Sequence, residues 1–289
     1  MQAETINTRD PVHVIGATGR SGQAVCRALL AVGIPYVPLV RSLERWAETG
    51  LPGKAQVIDL TDHYSLSSAL HDALRLVSCA HARHTQALID ATVSDVLMVL
   101  MGSTRRYTRW PDYHGMGVME GERVFVGSGR PGVMLHPTMI YGAQGEDNVQ
   151  RLAALLARLP VVPLPAGGHA LVQPIHQSDV TRSILAALAR NWPEPEVIVI
   201  AGPTALPYAD FVREVAEAAG LKLSRILNMP AALLMAAAPF TGFIPGIPTI
   251  GRDEVRRLTE DKAFSIGAMV NRLGVAPIPL ATGLAITFG

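Results

Sequence analysis

The sequence contains little lysine and few charged residues of any kind. Lysine occurs only at Lys54, Lys222 and Lys262, so almost all of the 25 basic residues are arginine. Charged residues make up 17% of the 289 residues, and the formal net charge of +1 gives no electrostatic basis for binding nucleic acid or acidic lipid. Apolar residues make up 49%, which is enough for a substantial buried core.

The scarcity of cysteine and of long apolar runs excludes two further classes of protein. Cys26 and Cys79 lie far apart in apolar surroundings, which predicts buried reduced thiols rather than a disulfide framework. The polar N-terminus lacks the apolar segment of a signal peptide. The longest apolar region, 231–250, is interrupted by several prolines. We therefore expect a cytoplasmic protein without a membrane span.

Short apolar runs alternate with helical patterns along the first two thirds of the chain. Seven runs have the length and composition of buried parallel strands: 12–15, 36–40, 56–60, 74–80, 96–101, 132–135 and 197–201. Helical spacing is found between them at 23–32, 65–73 and 83–92. This alternation predicts an α/β fold with a Rossmann-type, doubly wound parallel sheet of about seven strands.

The last third of the chain has a mostly helical pattern. The predicted helices cover 148–159, 179–189, 208–219, 253–258 and 268–273. We therefore predict a smaller, mostly helical C-terminal lobe that holds the substrate. In this division, residues 1–145 form the dinucleotide-binding domain and 178–205 return to it. Residues 146–177 and 206–289 form the lobe.

A glycine-rich turn follows the first predicted strand and opens the first helix. Its glycines permit a tight turn, a close approach of the backbone to a pyrophosphate, and close packing of the helix on the strand. The free N–H groups and positive dipole end of the helix favour phosphate. Strand, turn and helix in this order predict a dinucleotide site. Its expected contacts are Gly16, Thr18, Gly19, Arg20, Ser21 and Gly22.

The ends of the second and third predicted strands bear on the choice of dinucleotide. An acidic residue after the second strand favours NAD, because it bonds the ribose hydroxyls. This chain instead has Arg41, whose guanidinium can pair with the 2′-phosphate of NADP. NADP is therefore expected over NAD, the alternative being that Arg41 only caps a solvated loop. Asp59 and Leu60 are expected to contact the cofactor, although the segment is equally typical of a helix start.

Several segments resemble the short-chain dehydrogenase/reductase superfamily, in its extended or atypical branch, and within it the NAD(P)-dependent epimerase/dehydratase family. They are 14–22, 59–62, 102–104, 136–142, 173–176 and 179–180, so the resemblance covers nearly the whole chain. It implies a doubly wound sheet, a cofactor bound across the strand ends, and a substrate held by the C-terminal lobe. Ala80 and Pro137 are also expected to contact the cofactor.

The chain lacks the Tyr-x-x-x-Lys sequence that members of this family usually use for proton transfer. No lysine lies between 54 and 222, where the active site is expected. Ser103 matches the family's catalytic serine or threonine, and Thr104 beside it can also hydrogen-bond a carbonyl. Tyr113 or His114 is then the expected proton donor, since a histidine titrates near neutral pH without help from a lysine.

Three residues are candidate substrate contacts. Arg105 begins an arginine-rich segment, 105–109, that suits an anionic or phosphorylated substrate, unless it is a solvated loop. Asn148 opens the helix that leads into the C-terminal lobe. His176 is the third candidate, and its spacing from Asp179 is also that of a metal-ligand pair. No third ligand is near, so capping of a helix by Asp179 is preferred and no metal is expected.

These observations lead to three functional hypotheses. The leading one is an NADP-dependent oxidoreductase that acts on a small organic or sugar-nucleotide-like substrate. The second is a non-catalytic NAD(P)-binding regulatory or assembly protein. The third is a sugar-nucleotide epimerase or dehydratase, which the missing tyrosine–lysine pair disfavours more strongly because such chemistry needs repeated proton transfer. The superfamily resemblance also makes a homodimer an expectation.

Overall fold

A seven-stranded parallel sheet forms the centre of the computed structural model, which describes residues 10–143, 148–222, 225–238 and 251–289. Numbered along the chain, its strands are β1 (Val12–Ile15), β2 (Tyr36–Val40), β3 (Gln56–Val57), β4 (Arg75–Ser78), β5 (Leu97–Met101), β6 (Gly132–Pro137) and β11 (Pro195–Ile200). Their order in the sheet is β11-β6-β5-β4-β1-β2-β3, with every pair parallel. The chain changes direction across the sheet at β1, as in a Rossmann-type fold, and this confirms the predicted fold class.

Eleven helices are found in the described part of the chain. They are α1 (Arg20–Ala31), α2 (Leu43–Ala47), α3 (His63–Leu70), α4 (Thr85–Asp90), α5 (Tyr113–Ser128), α6 (Asn148–Leu156), α7 (Gln177–Leu188), α8 (Tyr208–Ala218), α9 (Ala231–Ala237), α10 (Arg252–Arg257) and α11 (Leu280–Phe288). The predicted helix at 268–273 is a single π-helical turn, Met269–Leu273.

Both faces of the sheet are buried, which explains why its strands are continuous apolar runs in the sequence. Along β5, Val99 packs on the face that α1 and α7 cover, while Met98 and Leu100 pack on the face that α3, α4 and α5 cover. This alternation follows from the two-residue repeat of a strand. Because all the strands are parallel, their carboxyl ends lie along one edge of the sheet, where the segments that follow the strands meet.

Helix α5 is the largest element that the sequence analysis did not predict. It contains four glycines, and glycine lowers helix propensity by about 1 kcal/mol relative to alanine. One of them permits close packing, since a Cβ at Gly121 would lie 2.1 Å from the carbonyl oxygen of Ala82. Tertiary packing thus outweighs local propensity here. The helix ends at Gly129, whose φ of 65° is left-handed.

A third apolar cluster lies outside the sheet. It joins Tyr141, Val149, Phe211 and Leu284, and so draws on α6, α8 and α11. The region is less purely helical than expected, because it also contains three two-stranded sheets. These pair β7 (Ile140–Tyr141) with β10 (Ile175–His176), β9 (Leu171–Val172) with β12 (Leu206–Pro207), and β8 (Val161–Pro165) with β13 (Arg225–Met229). The proposed domain boundary at 145–146 lies outside the described residues, and the division into domains stays a prediction.

No helix in the described residues has the length and apolar character needed to cross a membrane. Both cysteines are free thiols. Burial raises the pKa of Cys26 to about 12 and that of Cys79 to about 12, so both remain protonated at neutral pH. Cys26 is buried as expected, whereas Cys79 is only partly buried.

Candidate active site

The glycine turn between β1 and α1 is built by close approach of backbone to backbone. Gly16 has a φ of 73°, a conformation that favours glycine. A Cβ at Gly22 would lie 2.1 Å from the Gly16 carbonyl oxygen, so only glycine fits at this position. Gly19 begins α1 without a side-chain cap, so no side chain of the cap residue occupies the positive end of the helix. The turn is therefore shaped to accept an anion at the carboxyl edge of the sheet.

The segments that follow β2 and β4 lie beside this turn. The Gly16 N–H donates to the Leu39 carbonyl near the end of β2, at 3.2 Å, and Arg41 follows that strand as an exposed side chain. On the other side, a Cβ at Gly16 would contact the backbone nitrogen of Ala80 at 3.4 Å. The structure thus places Arg41 and Ala80 after the two strands that flank β1.

The segment after β3 has a local structural role. Asp59 Oδ1 accepts hydrogen bonds from the Thr61 N–H and hydroxyl, each at 2.8 Å, and these bonds lower the pKa of Asp59. This turn ends the strand at Val57, so β3 is shorter than the predicted 56–60. Asp62 then caps α3, because its side chain accepts hydrogen bonds from the Tyr64 and Ser65 N–H groups. The helix-start interpretation is confirmed, and Asp59 and Leu60 remain candidates for contact with the cofactor.

The structure distinguishes the hydroxyls of Ser103 and Thr104, which both follow β5. Ser103 Oγ accepts a hydrogen bond from the Arg105 N–H at 3.2 Å. Its own proton is thus left to donate to a ligand, since a hydroxyl has one donor and two acceptor sites. Thr104 Oγ1 instead donates to the carbonyl oxygen of Pro137, at 3.1 Å. Of the two, Ser103 is better placed to donate to a substrate carbonyl.

A buried hydrogen-bonded chain holds the backbone at Ser103. The Ser103 N–H donates to His136 Nδ1 at 2.8 Å, so the ring proton of His136 is on Nε2, which donates to Glu122 Oε2 at 2.7 Å. Arg106 Nε also donates to this oxygen. His136 is fully buried, and a Cβ at Gly102 would lie 2.2 Å from its Nδ1. Glycine at 102 is therefore required for the imidazole to reach Ser103.

Glu122 is an ionised carboxylate within this network of hydrogen bonds. Burial alone would raise the pKa of Glu122, but the hydrogen bonds from His136 and Arg106 outweigh burial and lower the pKa to about 2. Because Ser103 N–H is already bonded to His136, this backbone group does not serve as a donor to a substrate oxygen. The network thus positions the Ser103 segment rather than contacting a ligand.

Helix α5 begins with Tyr113, one of the two predicted proton donors. Tyr113 is the first residue of the helix, is 73% exposed, and has the guanidinium of Arg83 4.0 Å from its ring centroid. Four residues later, a Cβ at Gly117 would lie 2.8 Å from His81 Cε1. An imidazole from the segment after β4 therefore occupies the space beside the helix where a side chain at 117 would lie.

His81 and His114 form an edge-to-face pair whose ring centroids are 4.2 Å apart. Burial, followed by the charges of His114 and Arg83, lowers the pKa of His81 to about 4. Burial and the nearby Arg105 lower the pKa of His114 as well. Both rings are therefore mainly neutral at pH 7, which makes His114 a less available proton donor than an unperturbed histidine.

A cavity of about 880 Å³ opens beside Ser103. This volume lies within the range of small-molecule sites. Its lining residues are Ser103, Thr104, Arg105, Tyr107, Thr108, Arg109, Thr138, Met139, Asn148, Arg257, Glu260, Asp261, Lys262 and Phe264. The cavity thus brings together two predicted site regions, 103–105 and 148, with residues 138–139 and a C-terminal segment, 257–264, that the sequence analysis did not connect with the site.

Hydrogen bonds to both sides fix the C-terminal segment in the cavity wall. Glu260 is 5% exposed and accepts from the Thr108 hydroxyl at 2.7 Å and the Arg109 N–H at 2.8 Å. The Phe264 N–H donates to Gln173 Oε1 at 2.7 Å. A buried carboxylate and a buried amide therefore tie this segment to the loop after β5 and to the segment after β9.

The structure separates the remaining predicted substrate contacts. Asn148 lines the cavity and donates from Nδ2 to the Ile140 carbonyl at 2.9 Å. His176 is 6% exposed, is not among the described residues that line the cavity, and caps α7 through the Ser178 N–H. The expectation that Asp179 caps this helix was wrong. Asp179 lies in the first turn of α7, is fully buried, and accepts from the Ile278 N–H at 2.9 Å.

Comparison with known proteins supports the fold. No family model and no curated protein matches the chain. An NADPH-dependent quinone oxidoreductase from Escherichia coli, solved with NADPH, superposes with a TM-score of 0.76 and 19% identity, over 96% of this chain and 100% of the other. A UDP-N-acetylglucosamine 4-epimerase from Bacillus cereus superposes with a TM-score of 0.71 and 17% identity, over 97% and 96%. A UDP-glucuronic acid 4-epimerase from Bacillus cereus, solved with UDP-glucuronic acid and NAD, gives 0.71 and 18%, over 96% and 98%.

The chain shares its fold with this quinone oxidoreductase and with these two 4-epimerases. The resemblance expected from the sequence is thus confirmed at the level of the fold. At these identities the likeness does not extend to substrate or activity, which depend on side chains rather than on the backbone. In this Rossmann-type fold, the glycine turn and the cavity beside Ser103 lie along the carboxyl edge of the sheet, where such folds bind their ligands.

Three functional side chains escaped the sequence analysis. Glu122 and His136 were not among the predicted site residues. Lys262 lies 159 residues after Ser103, and no local pattern connects them. The available signal was composition, because one of only three lysines in the chain follows an acidic pair at 260–261. Among the described residues, no group of three potential metal ligands is found.

Proposed function

We propose that the protein is an NADPH-dependent reductase of a small carbonyl compound. The observation that carries this proposal is the Gly16–Gly22 turn, whose close backbone approach leaves an uncapped helix start at the carboxyl edge of the sheet. The neighbouring structures that contain NADPH or NAD have the same fold. Gly16, Thr18, Gly19, Arg20, Ser21 and Gly22 are the residues that would hold the pyrophosphate.

Arg41 favours NADP over NAD in this proposal. It is exposed directly after β2, beside the turn, and a guanidinium can make a forked pair with a 2′-phosphate. Ala80 and Pro137, after β4 and at the end of β6, are placed along the same edge. Asp59 and Leu60 would lie near the adenine. When bound, NADPH supplies the hydride.

The residues around Ser103 would hold the substrate and polarise its carbonyl. Ser103 would donate its hydroxyl proton to the carbonyl oxygen of the substrate, because the Arg105 N–H already donates to the Ser103 oxygen and leaves the proton for another acceptor. The chain Glu122–His136 keeps the Ser103 backbone in place. Preorganised donors of this kind stabilise negative charge that develops on oxygen. Tyr113 and His114 stay alternative sources of the proton that the product alcohol gains.

A second candidate function is a non-catalytic NADP-binding regulatory or assembly protein. The observation that favours it is the packing at Gly117, where His81 occupies the space beside α5 that a catalytic lysine would need. An epimerase or dehydratase has less support, because its repeated proton transfers would rely on Tyr113 and His114 without a lysine. A small-molecule partner, a homodimer and a cytoplasmic location stay predictions.

NADPH oxidation with a panel of carbonyl compounds separates the first two candidates. A reductase consumes NADPH with at least one compound, and Ser103→Ala lowers kcat by about tenfold or more while NADPH affinity is unchanged. Thr104→Val is the matched control, because the Thr104 hydroxyl donates to a backbone carbonyl rather than to the substrate. If Thr104→Val slows turnover as much as Ser103→Ala does, the assignment of Ser103 is wrong. If NADPH binds but no compound is reduced, the binding protein is the better conclusion.

A further inference from the structure

The cavity beside Ser103 carries more positive than negative charge. Four of its lining side chains are cationic (Arg105, Arg109, Arg257 and Lys262), and two are carboxylates. This excess arises although the chain as a whole is nearly neutral, with a formal net charge of +1. The basic side chains come from two distant parts of the sequence, the loop after β5 and the segment around α10, which the fold brings together.

The carboxylates of the cavity are already engaged by other groups. Glu260 accepts from the Thr108 hydroxyl and the Arg109 N–H, and the Arg109 guanidinium lies 3.9 Å from it. Asp261 accepts from the Leu171 N–H at 2.9 Å. These carboxylates therefore fix the walls of the cavity, and Arg109 is the cation nearest to Glu260.

Two of the other cations, Arg105 and Arg257, share one close carboxylate. Arg105 and Arg257 each place Nη1 3.2 Å from the same oxygen of Asp112. The Lys262 ammonium donates to the carbonyl oxygen of Arg257 at 2.8 Å. This bond satisfies one of the three N–H groups of the ammonium but does not neutralise its charge. Burial lowers the pKa of Lys262, the charge of Glu260 opposes this effect, and the charges of Arg257 and Arg105 lower the pKa further. Burial and the two arginines disfavour the charged form of Lys262, and a bound anion would add to the opposing effect of Glu260.

An uncharged polar group in the cavity wall also lacks a hydrogen-bond partner among the described residues. Thr138 lines the cavity and is 7% exposed, and its hydroxyl has no hydrogen-bond partner among the described residues. A buried hydroxyl without a partner is costly, so such groups in proteins are usually satisfied by protein, water or ligand. This observation is independent of the charges, and it too points to a ligand in the cavity.

We propose that Lys262 and Arg257 bind an oxyanion group of the substrate, a carboxylate or a phosphate, in this cavity. The inference rests on the proposed reductase function, and it narrows the substrate to a carbonyl compound that carries such an anion. Arg257 offers a fork of donors and Lys262 a point charge, and both are partly shielded from water. Arg105 adds to the positive potential while its guanidinium stays paired with Asp112.

The scarcity of lysine permits a test on the unaltered protein. Reductive methylation followed by mass spectrometry reports separately on Lys54, Lys222 and Lys262. Malonate serves as the carboxylate probe and inorganic pyrophosphate as the phosphate probe. We expect at least one probe to slow methylation of Lys262 severalfold while leaving exposed Lys54 unaffected. Pyrophosphate can also bind at the glycine turn, so protection of Lys262 is the readout that assigns it to the cavity.

Binding measurements on variants complete the test. The effective probe should bind Lys262→Met about tenfold or more weakly than the wild type, the loss typical of one charge-assisted hydrogen bond. Lys54→Met is the matched control and should bind normally, and Lys262→Arg should retain most of the affinity. If neither probe protects Lys262, or if Lys262→Met binds as tightly as Lys54→Met, the proposal is overturned.

The test of the anion site can succeed or fail independently of the test of the proposed reductase function. The probes are not reduced, and the measurements are made without cofactor. Protection of Lys262 together with no NADPH binding would retain the anion site and reject the reductase. Tight NADPH binding with no protection of Lys262 would reject the anion site and leave the reductase standing with an uncharged substrate.

Discussion

The buried carboxylate of Glu122 offers a sharp test of how the site is held together. Glu122→Gln removes the negative charge that His136 and Arg106 surround, while it preserves the size of the side chain. Glu120→Gln is the matched control in the same helix. Glu120 pairs with the exposed Arg123 on the surface, and pairs of that kind contribute little.

The shifted pKa sets the size of the effect. The pKa of Glu122 falls from 4.5 to about 2 on folding, although burial opposes the fall, because His136 and Arg106 donate to the carboxylate. At about 1.4 kcal/mol per pH unit, this corresponds to roughly 3 kcal/mol of folding free energy. Because the folded-state pKa is depressed, the stabilisation is fully present above the unfolded pKa and is lost as the pH falls towards about 2.

Urea denaturation of the three proteins across a range of pH measures this contribution. At pH 7, Glu122→Gln should lower the free energy of unfolding by about 3 kcal/mol, and Glu120→Gln should change it by less than about 0.5 kcal/mol. The deficit of Glu122→Gln should shrink to about 2 kcal/mol near pH 3.5. A deficit that stays the same from pH 7 to pH 3.5 would refute the reasoning, because it would show that the charge of Glu122 is not what stabilises the fold.

Four further substitutions test the packing of three glycines and the cap of one helix. Gly121→Ala should destabilise the protein by more than about 1 kcal/mol, because its Cβ would lie 2.1 Å from the Ala82 carbonyl oxygen. In the same helix, Gly127→Ala meets no atom within 4 Å and should stabilise by about 0.5–1 kcal/mol, so equal effects in thermal denaturation would contradict the packing. Gly22→Ala should abolish NADPH binding in a fluorescence titration, and retained affinity would show that the turn is not the phosphate site. Asp62→Ala should cost about 1 kcal/mol through loss of the α3 cap, and an unchanged urea midpoint would contradict that role.

Much of the central sheet could be predicted because its strands are buried on both faces. The runs 12–15 and 36–40 match β1 and β2 to the residue. Where a polar side chain redirects the backbone, the prediction was less accurate. The Asp59 turn shortens β3, and the His176 side chain starts α7 two residues before Asp179. These boundaries depend on single hydrogen bonds, which hydrophobic periodicity does not encode.

Two of the missed elements, α5 and β8, share a physical cause. Helix α5 contains glycines whose value lies in contacts with Ala82 and His81, so local propensity argues against the helix that tertiary packing forms. Strand β8 contains Pro163 and Pro165, which local rules exclude from the interior of a sheet, and its one partner in the described chain is β13. In both cases the deciding contact is with a residue distant in the sequence.

The candidate site also contains some residues that local sequence patterns predict and others that only long-range contacts place. The glycine turn and Ser103 could be found from the sequence because each is a local pattern after a strand. The choice between Ser103 and Thr104 could not, because it depends on which backbone group each hydroxyl bonds. Lys262 and Arg257 enter the cavity only through the folding of the C-terminal segment against the loop after β5. Such long-range placement leaves no periodic trace in one sequence.

The affinities of the protein for NADPH and NADH, measured side by side, test the assigned cofactor site most directly. Wild-type protein should bind NADPH about tenfold or more tightly than NADH, because Arg41 can form a charge-assisted pair with the 2′-phosphate. Arg41→Asp should weaken NADPH binding far more than NADH binding. Equal losses for the two cofactors would contradict the role of Arg41, and no binding of either by the wild type would contradict the cofactor site itself.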